Sequence, residues 1–434
     1  MFSGRKAKAR FAAVFFFAIM LLITAGCSGF WTKESSPAPD PGHQSEAPPH
    51  SENPGKPQDQ NPPGKVPPPE QDPIEKQVKS MTLEEKIGQM IIAGVQGTEL
   101  TEETKSFLSK YKVGGLILYK NNIVSQAQAV QFLNQLKEAN REGKVPLFLS
   151  VDQEGGKVTR FPAEIIPTPS ARDTAKSGSS DRAQQIAAAT GKALRAFGFN
   201  LNYAPVLDID SNPKNPVIAD RSFGSTASVA CEYGIKVMKG LQSAQAIPVI
   251  KHFPGHGDTS TDSHLELPVV DKTLQQLRSL ELKPFAEAIR SGADAVITAH
   301  ILLPKLDPDH PATMSPVIIN ELLRKELGFK GVVITDDMTM GAIVKHFDIK
   351  KAAVQSVLAG ADIVLVAHGY DQAGQVFDEL VRAAKSGELS MERIDQSVAR
   401  ILRLKEKYKL SDEPVEAADP QKLNEAIQKA LDQK

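Results

Sequence analysis

Eight short apolar runs alternate along the chain with segments of helical period. The runs cover residues 90–95, 115–119, 146–152, 201–208, 247–252, 295–300, 332–336 and 363–367. Continuous apolar runs of this length predict strands that are buried on both faces, as in parallel sheets. The segments between them carry apolar residues every three or four positions and predict helices, most clearly at residues 102–111, 124–138, 183–197, 277–291 and 320–327.

Eight strands, each followed by a helix, predict an α/β fold in the form of a closed (β/α)8 barrel. An open, doubly wound parallel sheet has the same alternation, and the period alone does not separate the two. Ionisable residues at the strand ends favour the barrel, because barrel enzymes carry their sites on the rim formed by those ends. These residues are Asp152, Asp208, Lys251, His252, His300, Asp336 and His368. Asp208 and His300 could equally serve to satisfy the backbone groups of nearby loops.

Further helices flank the barrel pattern. Thr82 and Glu85 form a capping-box signature, which predicts a helix before the first strand. Amphipathic segments at residues 391–410 and 423–431 predict helices that pack on the barrel exterior. We therefore expect one catalytic domain over residues 74–434.

The N-terminus has the pattern of a secretion signal. Four basic residues precede the apolar run 11–23, which is too short to span a bilayer comfortably. The segment then ends in Thr24-Ala25-Gly26-Cys27, which resembles a bacterial lipobox, although Thr24 stands where Leu is usual. We expect a lipoprotein signal peptide at residues 1–26, lipidation of Cys27 and an extracytoplasmic protein anchored to the cell membrane.

Residues 27–73 predict a tether and not a folded region. They contain thirteen of the thirty prolines, together with many Gln, Ser and Glu residues, and such a composition cannot bury a core. Fully extended, the segment would reach on the order of 100 Å. The whole chain has a formal net charge of −1, which gives no reason to expect a nucleic-acid partner.

The segment 251–268 concentrates ionisable residues after the fifth predicted strand, in a loop rich in Gly and Pro. Asp262 and His264 are two residues apart, so in an extended segment both side chains point the same way. A carboxylate orients an imidazole and stabilises its charged form, which suits the pair to proton transfer. Asp336, at the end of its strand, suits a nucleophile. Because strand residues alternate sides, Asp336 and Asp337 should not both face the site, and parity alone does not say which one does.

Metal binding is the rival interpretation of this loop. Its side chains offer enough nitrogen and oxygen donors for zinc. Against a metal site, none of them forms a helical His-x-x-x-His pair, and the Gly and Pro residues do little to fix ligand geometry. We therefore expect no metal. The candidate ligands would be His252, His256, Asp258, Asp262 and His264.

Four segments together resemble glycoside hydrolase family 3, and in particular its β-N-acetylhexosaminidase branch. They are residues 81–90 (MTLEEKIGQM), 152–156 (DQEGG), 251–268 (KHFPGHGDTSTDSHLELP) and 335–338 (TDDM), within a resemblance that covers about residues 74–410. The resemblance implies a retaining hydrolase of terminal β-linked N-acetylglucosamine. It also implies that Asp336 is the nucleophile, His264 the general acid/base and Asp262 its partner.

The resemblance further implies the sugar-binding residues, and it implies no cofactor. Lys251 and His252 are adjacent, so both can reach a sugar only if the strand end is bent or bulged. Outside the membrane we favour a peptidoglycan fragment, with N-acetylglucosamine linked to N-acetylmuramic acid, while other β-N-acetylglucosaminides stay open. We expect a monomer. A phosphorylase and a non-catalytic, anchored sugar-binding lipoprotein remain alternatives. The implied binding residues are Asp152, Arg160, Arg221, Lys251 and His252.

Overall fold

Eight parallel strands form the central sheet of the structure, a computed structural model that describes residues 72–433. The predicted signal peptide and the predicted lipidation site Cys27 lie outside the described residues, as does nearly all of the predicted tether. The described residues contain ten strands: β1 (Ile91–Gly94), β2 (Gly115–Leu118), β3 (Phe148–Val151), β4 (Leu201–Asn202), β5 (Ile247–Phe253), β6 (Ala295–Thr298), β7 (Leu302–Leu303), β8 (Asp307–Pro311), β9 (Val332–Thr335) and β10 (Val364–Val366).

The central sheet closes on itself. Its strand order is β10-β1-β2-β3-β4-β5-β6-β9 with parallel pairing throughout. The two end strands meet through a parallel bridge between Ile334 and Ile363, and the Thr335 N–H donates to the Ile363 carbonyl oxygen at 3.0 Å. The predicted barrel is thus confirmed, and the open doubly wound alternative is wrong.

The strands of the barrel are buried along their whole length, as their continuous apolar sequences require. Each is followed by at least one helix. The helices are α1 (Pro73–Ser80), α2 (Leu83–Gln89), α3 (Glu102–Tyr111), α4 (Gln126–Ala139), α5 (Ala171–Lys176), α6 (Ser180–Phe197), α7 (Ala227–Ser243), α8 (Leu274–Ser279), α9 (Leu282–Arg290), α10 (Gly341–Val344), α11 (Ile349–Ala359), α12 (Tyr370–Lys385), α13 (Met391–Lys407) and α14 (Pro420–Leu431), with a π-helical turn at Val317–Glu326.

Local sequence signals account for several of these bounds. The Thr82 hydroxyl accepts the Glu85 N–H, and the Glu85 carboxylate accepts the Thr82 N–H, which confirms the predicted capping box at the start of α2. Helices α13 and α14 confirm the two predicted exterior helices. None of the helices within residues 72–433 combines the length and the apolar character that crossing a bilayer requires.

Three of the differences between the structure and the predicted elements have clear local causes or changed topology. The run 201–208 keeps strand pairing only at Leu201–Asn202 and in one bridge from Val206, because Pro205 has no N–H to donate. The single helix predicted at 277–291 is two helices, α8 and α9. An antiparallel hairpin, β7 with β8, interrupts the link from β6 to β9; its polar, Pro-containing second strand has no alternating apolar pattern by which to predict it.

Candidate active site

A cavity of about 250 Å³ opens where the carboxyl ends of the barrel strands meet. Small-molecule sites usually begin at about 300 Å³, so this cavity suits one sugar ring better than a long chain. Seven of the eight predicted site residues line it, and the eighth, Asp262, contacts the His264 ring. The seven lining residues are Asp152, Arg160, Arg221, Lys251, His252, His264 and Asp336.

Four charged side chains form a buried ion-pair network on one wall of the cavity. Lys251 Nζ lies 2.6 Å from Asp152 Oδ1 and 2.7 Å from Glu154 Oε1. Arg221 binds Glu154 with two hydrogen bonds, each of 2.8 Å. Burial lowers the pKa of Lys251, but Asp152 and Glu154 outweigh it, and the pKa is raised. The network has two positive and two negative charges, so it holds strong hydrogen-bonding groups without a net charge.

Glu154 was not among the predicted site residues. Its side chain is only 6% exposed, and burial raises its pKa, yet the charges of Arg221 and Lys251 outweigh burial and hold that pKa well below the ordinary value. The only sequence signal for Glu154 was its position, because an acidic residue three positions after β3 lies close to the strand end that carries the site. The sequence could not show that this carboxylate binds two of the predicted sugar-binding cations.

The end of β5 brings Lys251 and His252 to the same cavity. The pairing of β5 with β6 shifts register between Ile250 and Phe253, which is the irregularity that adjacent site residues require. Asp208, which is fully buried, accepts the backbone N–H groups of His252 and His256 and contacts His252 Nδ1 at 2.6 Å. Asp208 therefore supports backbone and imidazole together, and it does not line the cavity.

His256 connects this strand end to the loop that follows. Its ring nitrogens contact the Thr259 hydroxyl at 2.9 Å and the Ser263 hydroxyl at 3.0 Å. Burial, with a further contribution from the charge of His252, lowers the pKa of His256 to about 4. A neutral His256 thus connects two points of the loop that carries His264.

Asp336 and Asp337 both line the cavity, contrary to the expectation that only one of them would. The strand ends at Thr335, so strict alternation no longer applies to the two aspartates. The Asp337 carboxylate accepts the backbone N–H groups of Thr339 and Ala367 at 2.9 Å and the Thr339 hydroxyl at 2.6 Å. In contrast, the Asp336 carboxylate accepts only the Asp337 N–H among the described residues.

The electrostatic surroundings keep Asp336 ionised. Burial raises its pKa, but attraction to the neighbouring His252 and His300 rings, and the N–H of Asp337, outweigh burial, so that the pKa lies below its ordinary value. An ionised carboxylate with free lone pairs is the state that a nucleophile or an electrostatic stabiliser requires. Of the two aspartates, Asp336 is the one available for this chemistry.

Asp262 and His264 form a dyad at the cavity mouth. Asp262 Oδ1 contacts His264 Nδ1 at 2.8 Å and accepts the His264 backbone N–H at 2.9 Å. Partial burial raises the pKa of Asp262, and these hydrogen bonds lower it by more. Because an ionised carboxylate can only accept, Nδ1 carries a proton, and Nε2 is the nitrogen that can exchange one. The His264 side chain is 61% exposed, so this nitrogen is accessible.

Arg160, His300 and His368 differ in their contacts near the cavity. Arg160 lies over the Tyr119 ring at 5.9 Å, and its buried Nε has no hydrogen-bond partner among the described residues. His300 is fully buried between the Thr313 hydroxyl and the Asp337 carbonyl oxygen, each at 2.9 Å, which is the structural role allowed for it. His368 lines the cavity and stacks on Tyr119.

The candidate metal ligands of the loop have separate partners. His252 contacts Asp208, His256 contacts two hydroxyl groups, and Asp258 pairs with Lys272 at 3.0 Å. Asp262 and His264 contact each other. In the part of the chain that the structure describes, no three His, Cys, Asp or Glu side chains are grouped as ligands for one ion.

The sequence is similar to known glycoside hydrolases. The family described as Glycosyl hydrolase family 3 N terminal domain matches residues 82–404. Beta-hexosaminidase A of Pseudoalteromonas piscicida is 36% identical over 334 residues, which cover 71% of this chain but only 56% of that protein. The chain thus spans little more than half of that relative. Beta-hexosaminidase LpqI of Mycobacterium tuberculosis is 34% identical over 329 residues, covering 74% of this chain and 82% of that protein.

Solved structures have the same fold. A family 3 beta-N-acetylglucosaminidase from Paenibacillus sp. str. FPU-7 superposes with a TM-score of 0.76 at 41% identity, covering 81% of this chain and 68% of that one. The Beta-N-acetylhexosaminidase from Beutenbergia cavernae gives 0.70 at 30% identity, covering 75% and 99%. The sequence match over most of the barrel, together with this shared fold, shows that the chain belongs to glycoside hydrolase family 3.

Proposed function

We propose that this glycoside hydrolase is a retaining β-N-acetylhexosaminidase that removes terminal β-linked N-acetylglucosamine. The observation that carries the proposal is that a carboxylate and an imidazole line the same sugar-sized cavity. Asp336 offers an ionised carboxylate with free lone pairs, and His264, oriented by Asp262, offers an exchangeable proton. Relatives named beta-hexosaminidase and beta-N-acetylglucosaminidase support the choice of sugar.

The reaction proceeds in two steps at the anomeric carbon. Asp336 attacks that carbon while His264 gives its Nε2 proton to the departing glycosidic oxygen, which leaves a covalent glycosyl-enzyme. His264, now neutral, then takes a proton from water as the water oxygen attacks the same carbon. The bond to Asp336 breaks, the sugar leaves with its original configuration and His264 is protonated again.

We infer that the ion-pair network and two neighbouring residues of the cavity bind the sugar. Asp152, Arg160, Arg221, Lys251 and His252 face the cavity with charge-assisted donors and acceptors, which suit ring hydroxyl groups. Glu154 fixes Lys251 and Arg221 through its ion pairs, so that these cations are already in place when the sugar arrives. Such preorganisation reduces the ordering that binding must pay for.

The N-terminal sequence supports a proposal for the natural substrate and the location. A lipobox at Cys27 and a long tether would hold the domain outside the cytoplasm, at the membrane. There the enzyme would meet peptidoglycan fragments, with N-acetylglucosamine linked to N-acetylmuramic acid. Recovery of the full-length protein in washed membranes, and release of N-acetylglucosamine from purified muropeptides, would test these two points.

The central test is hydrolysis of a nitrophenyl N-acetyl-β-glucosaminide with and without inorganic phosphate, followed by NMR of the first sugar product. We expect free N-acetylglucosamine, initially as the β-anomer, at a rate independent of phosphate. A sugar 1-phosphate would identify a phosphorylase. Binding of N-acetylglucosamine without turnover of any glycoside would leave a sugar-binding lipoprotein.

A further inference from the structure

The loop that carries His264 lies against α10, the helix that follows Asp336 in the chain. The Gly341 N–H donates to the His264 carbonyl oxygen at 3.1 Å, and the Ala342 N–H donates to the Ser263 carbonyl oxygen at 3.1 Å. Both donors belong to the first turn of a helix, where N–H groups have no partner within the helix itself. The loop therefore takes up hydrogen bonds that α10 cannot satisfy alone.

Only glycine fits at position 341. A Cβ placed there would lie 2.6 Å from the His264 carbonyl oxygen and 2.8 Å from that of Leu265. Both atoms belong to the backbone, so neither can rotate away as a side chain would. Any larger residue at position 341 would have to displace the loop itself.

We propose that Gly341 is a positioning residue for glycoside hydrolysis. Its N–H and its missing side chain hold the His264 backbone, and hence the imidazole, at a fixed place relative to Asp336. Gly341 does not line the cavity and touches no reacting atom. The proposal rests on the acid/base role proposed for His264.

The other contacts along this edge are weaker. Glu266 pairs with His346, and Lys345 Nζ lies 3.6 Å from Glu266 Oε2. These side chains are 39% to 55% exposed, and exposed ion pairs contribute little. The backbone contacts of Gly341 and Ala342 are therefore the main attachments of this part of the loop to α10.

The test is Gly341→Ala, assayed on two N-acetyl-β-glucosaminides with a good and a poor leaving group. A poor leaving group needs the proton that His264 supplies, whereas a dinitrophenolate hardly needs it. We expect kcat/KM to fall roughly tenfold to hundredfold for a methyl glycoside, and less than about threefold for the dinitrophenyl glycoside. The matched control is Gly88→Ala in α2. A Cβ there would lie 2.4 Å from each of two backbone carbonyl oxygens, and Gly88 does not line the cavity. This control should affect both substrates equally.

A double variant separates positioning from general damage. In a His264→Ala background, Gly341→Ala should change kcat/KM less than about twofold, because its effect passes through the missing ring. Equal losses on both substrates, or a full additional loss in that background, would overturn the proposal. If His264→Ala itself shows no dependence on the leaving group, the acid/base assignment fails first, independently of Gly341.

A second variant serves if Gly341→Ala does not fold. Ala342→Pro removes the N–H that binds the Ser263 carbonyl oxygen, and proline is tolerated in the first turn of a helix. It should reproduce the selective loss on the methyl glycoside. Equal losses on the two substrates would overturn the docking argument here as well.

Discussion

Replacing Glu154 with Gln should destabilise the protein, because Glu154 pairs with two buried cations. The change keeps the shape of the side chain and removes its charge. Lys251, with a side chain only 3% exposed, would then keep Asp152 as its one ion-pair partner among the described residues, and Arg221, 12% exposed, would lose its ion pair with Glu154. Breaking a buried ion pair by removing one partner costs about 3–5 kcal/mol. Because the amide oxygen can still accept one hydrogen bond, we expect a loss near the lower end, about 3 kcal/mol.

The pH dependence gives this prediction a sign. The pKa of Glu154 is depressed on folding, so its contribution is fully present above its unfolded-state pKa of about 4.3 and is lost as the pH falls through the folded-state value. The stability difference between wild type and Glu154→Gln should therefore be constant from pH 8 to about pH 5.5 and should shrink below about pH 4.

Urea unfolding at pH 7, 5.5 and 3 measures this difference. The matched control is Glu321→Gln, which removes an exposed ion pair with Lys325 and should change the free energy of unfolding by less than about 0.5 kcal/mol. A Glu154→Gln effect as small as that of the control at pH 7 would refute the reasoning. So would a large effect that does not shrink at low pH, because the cost would then not come from the charge.

Three further predictions concern the site and the anchor. Asp336→Ala should abolish turnover while sugar binding measured by calorimetry persists, and Asp337→Asn should keep measurable turnover; the opposite pattern would exchange the two roles. Asp208→Asn should lower kcat/KM at least about tenfold, because the amide no longer holds the His252 ring as a carboxylate does; unchanged kinetics would show that this support is dispensable. Cys27→Ala should move the protein from the membrane fraction to the soluble fraction, and a wild-type protein found only in the soluble fraction would contradict the anchor.

The barrel could be predicted because its signal is local. A strand buried on both faces must be apolar along its length whatever its neighbours are, so all eight runs could be found without knowing the pairing. Likewise, a polar residue directly after such a run must lie at the strand end, which brought Asp152 and His252 to one rim. The strand boundaries were less predictable, as Pro205 shows, because its missing N–H shortens β4 within an otherwise suitable run.

The contacts that support the site are not local. Glu154 meets Arg221 across 67 residues of sequence, and Gly341 meets His264 across a similar separation. Nothing in the sequence around either residue indicates its partner, since a glutamate near Gly residues and a Gly at a helix start are both common. Such residues become visible only when the closed barrel brings two loops together.

The proposal of Asp336 and not Asp337 as the nucleophile shows which observations separate two similar residues once the fold is known. Both are aspartates, both follow the same strand and both line the cavity, so neither residue type nor position separates them. Their hydrogen bonds do. Asp337 uses its oxygens on the Thr339 N–H and hydroxyl and on the Ala367 N–H, so it joins its own turn to the end of β10 and has little capacity left for a substrate. Among the described residues, the Asp336 carboxylate accepts one N–H, and its other lone pairs are available to a substrate.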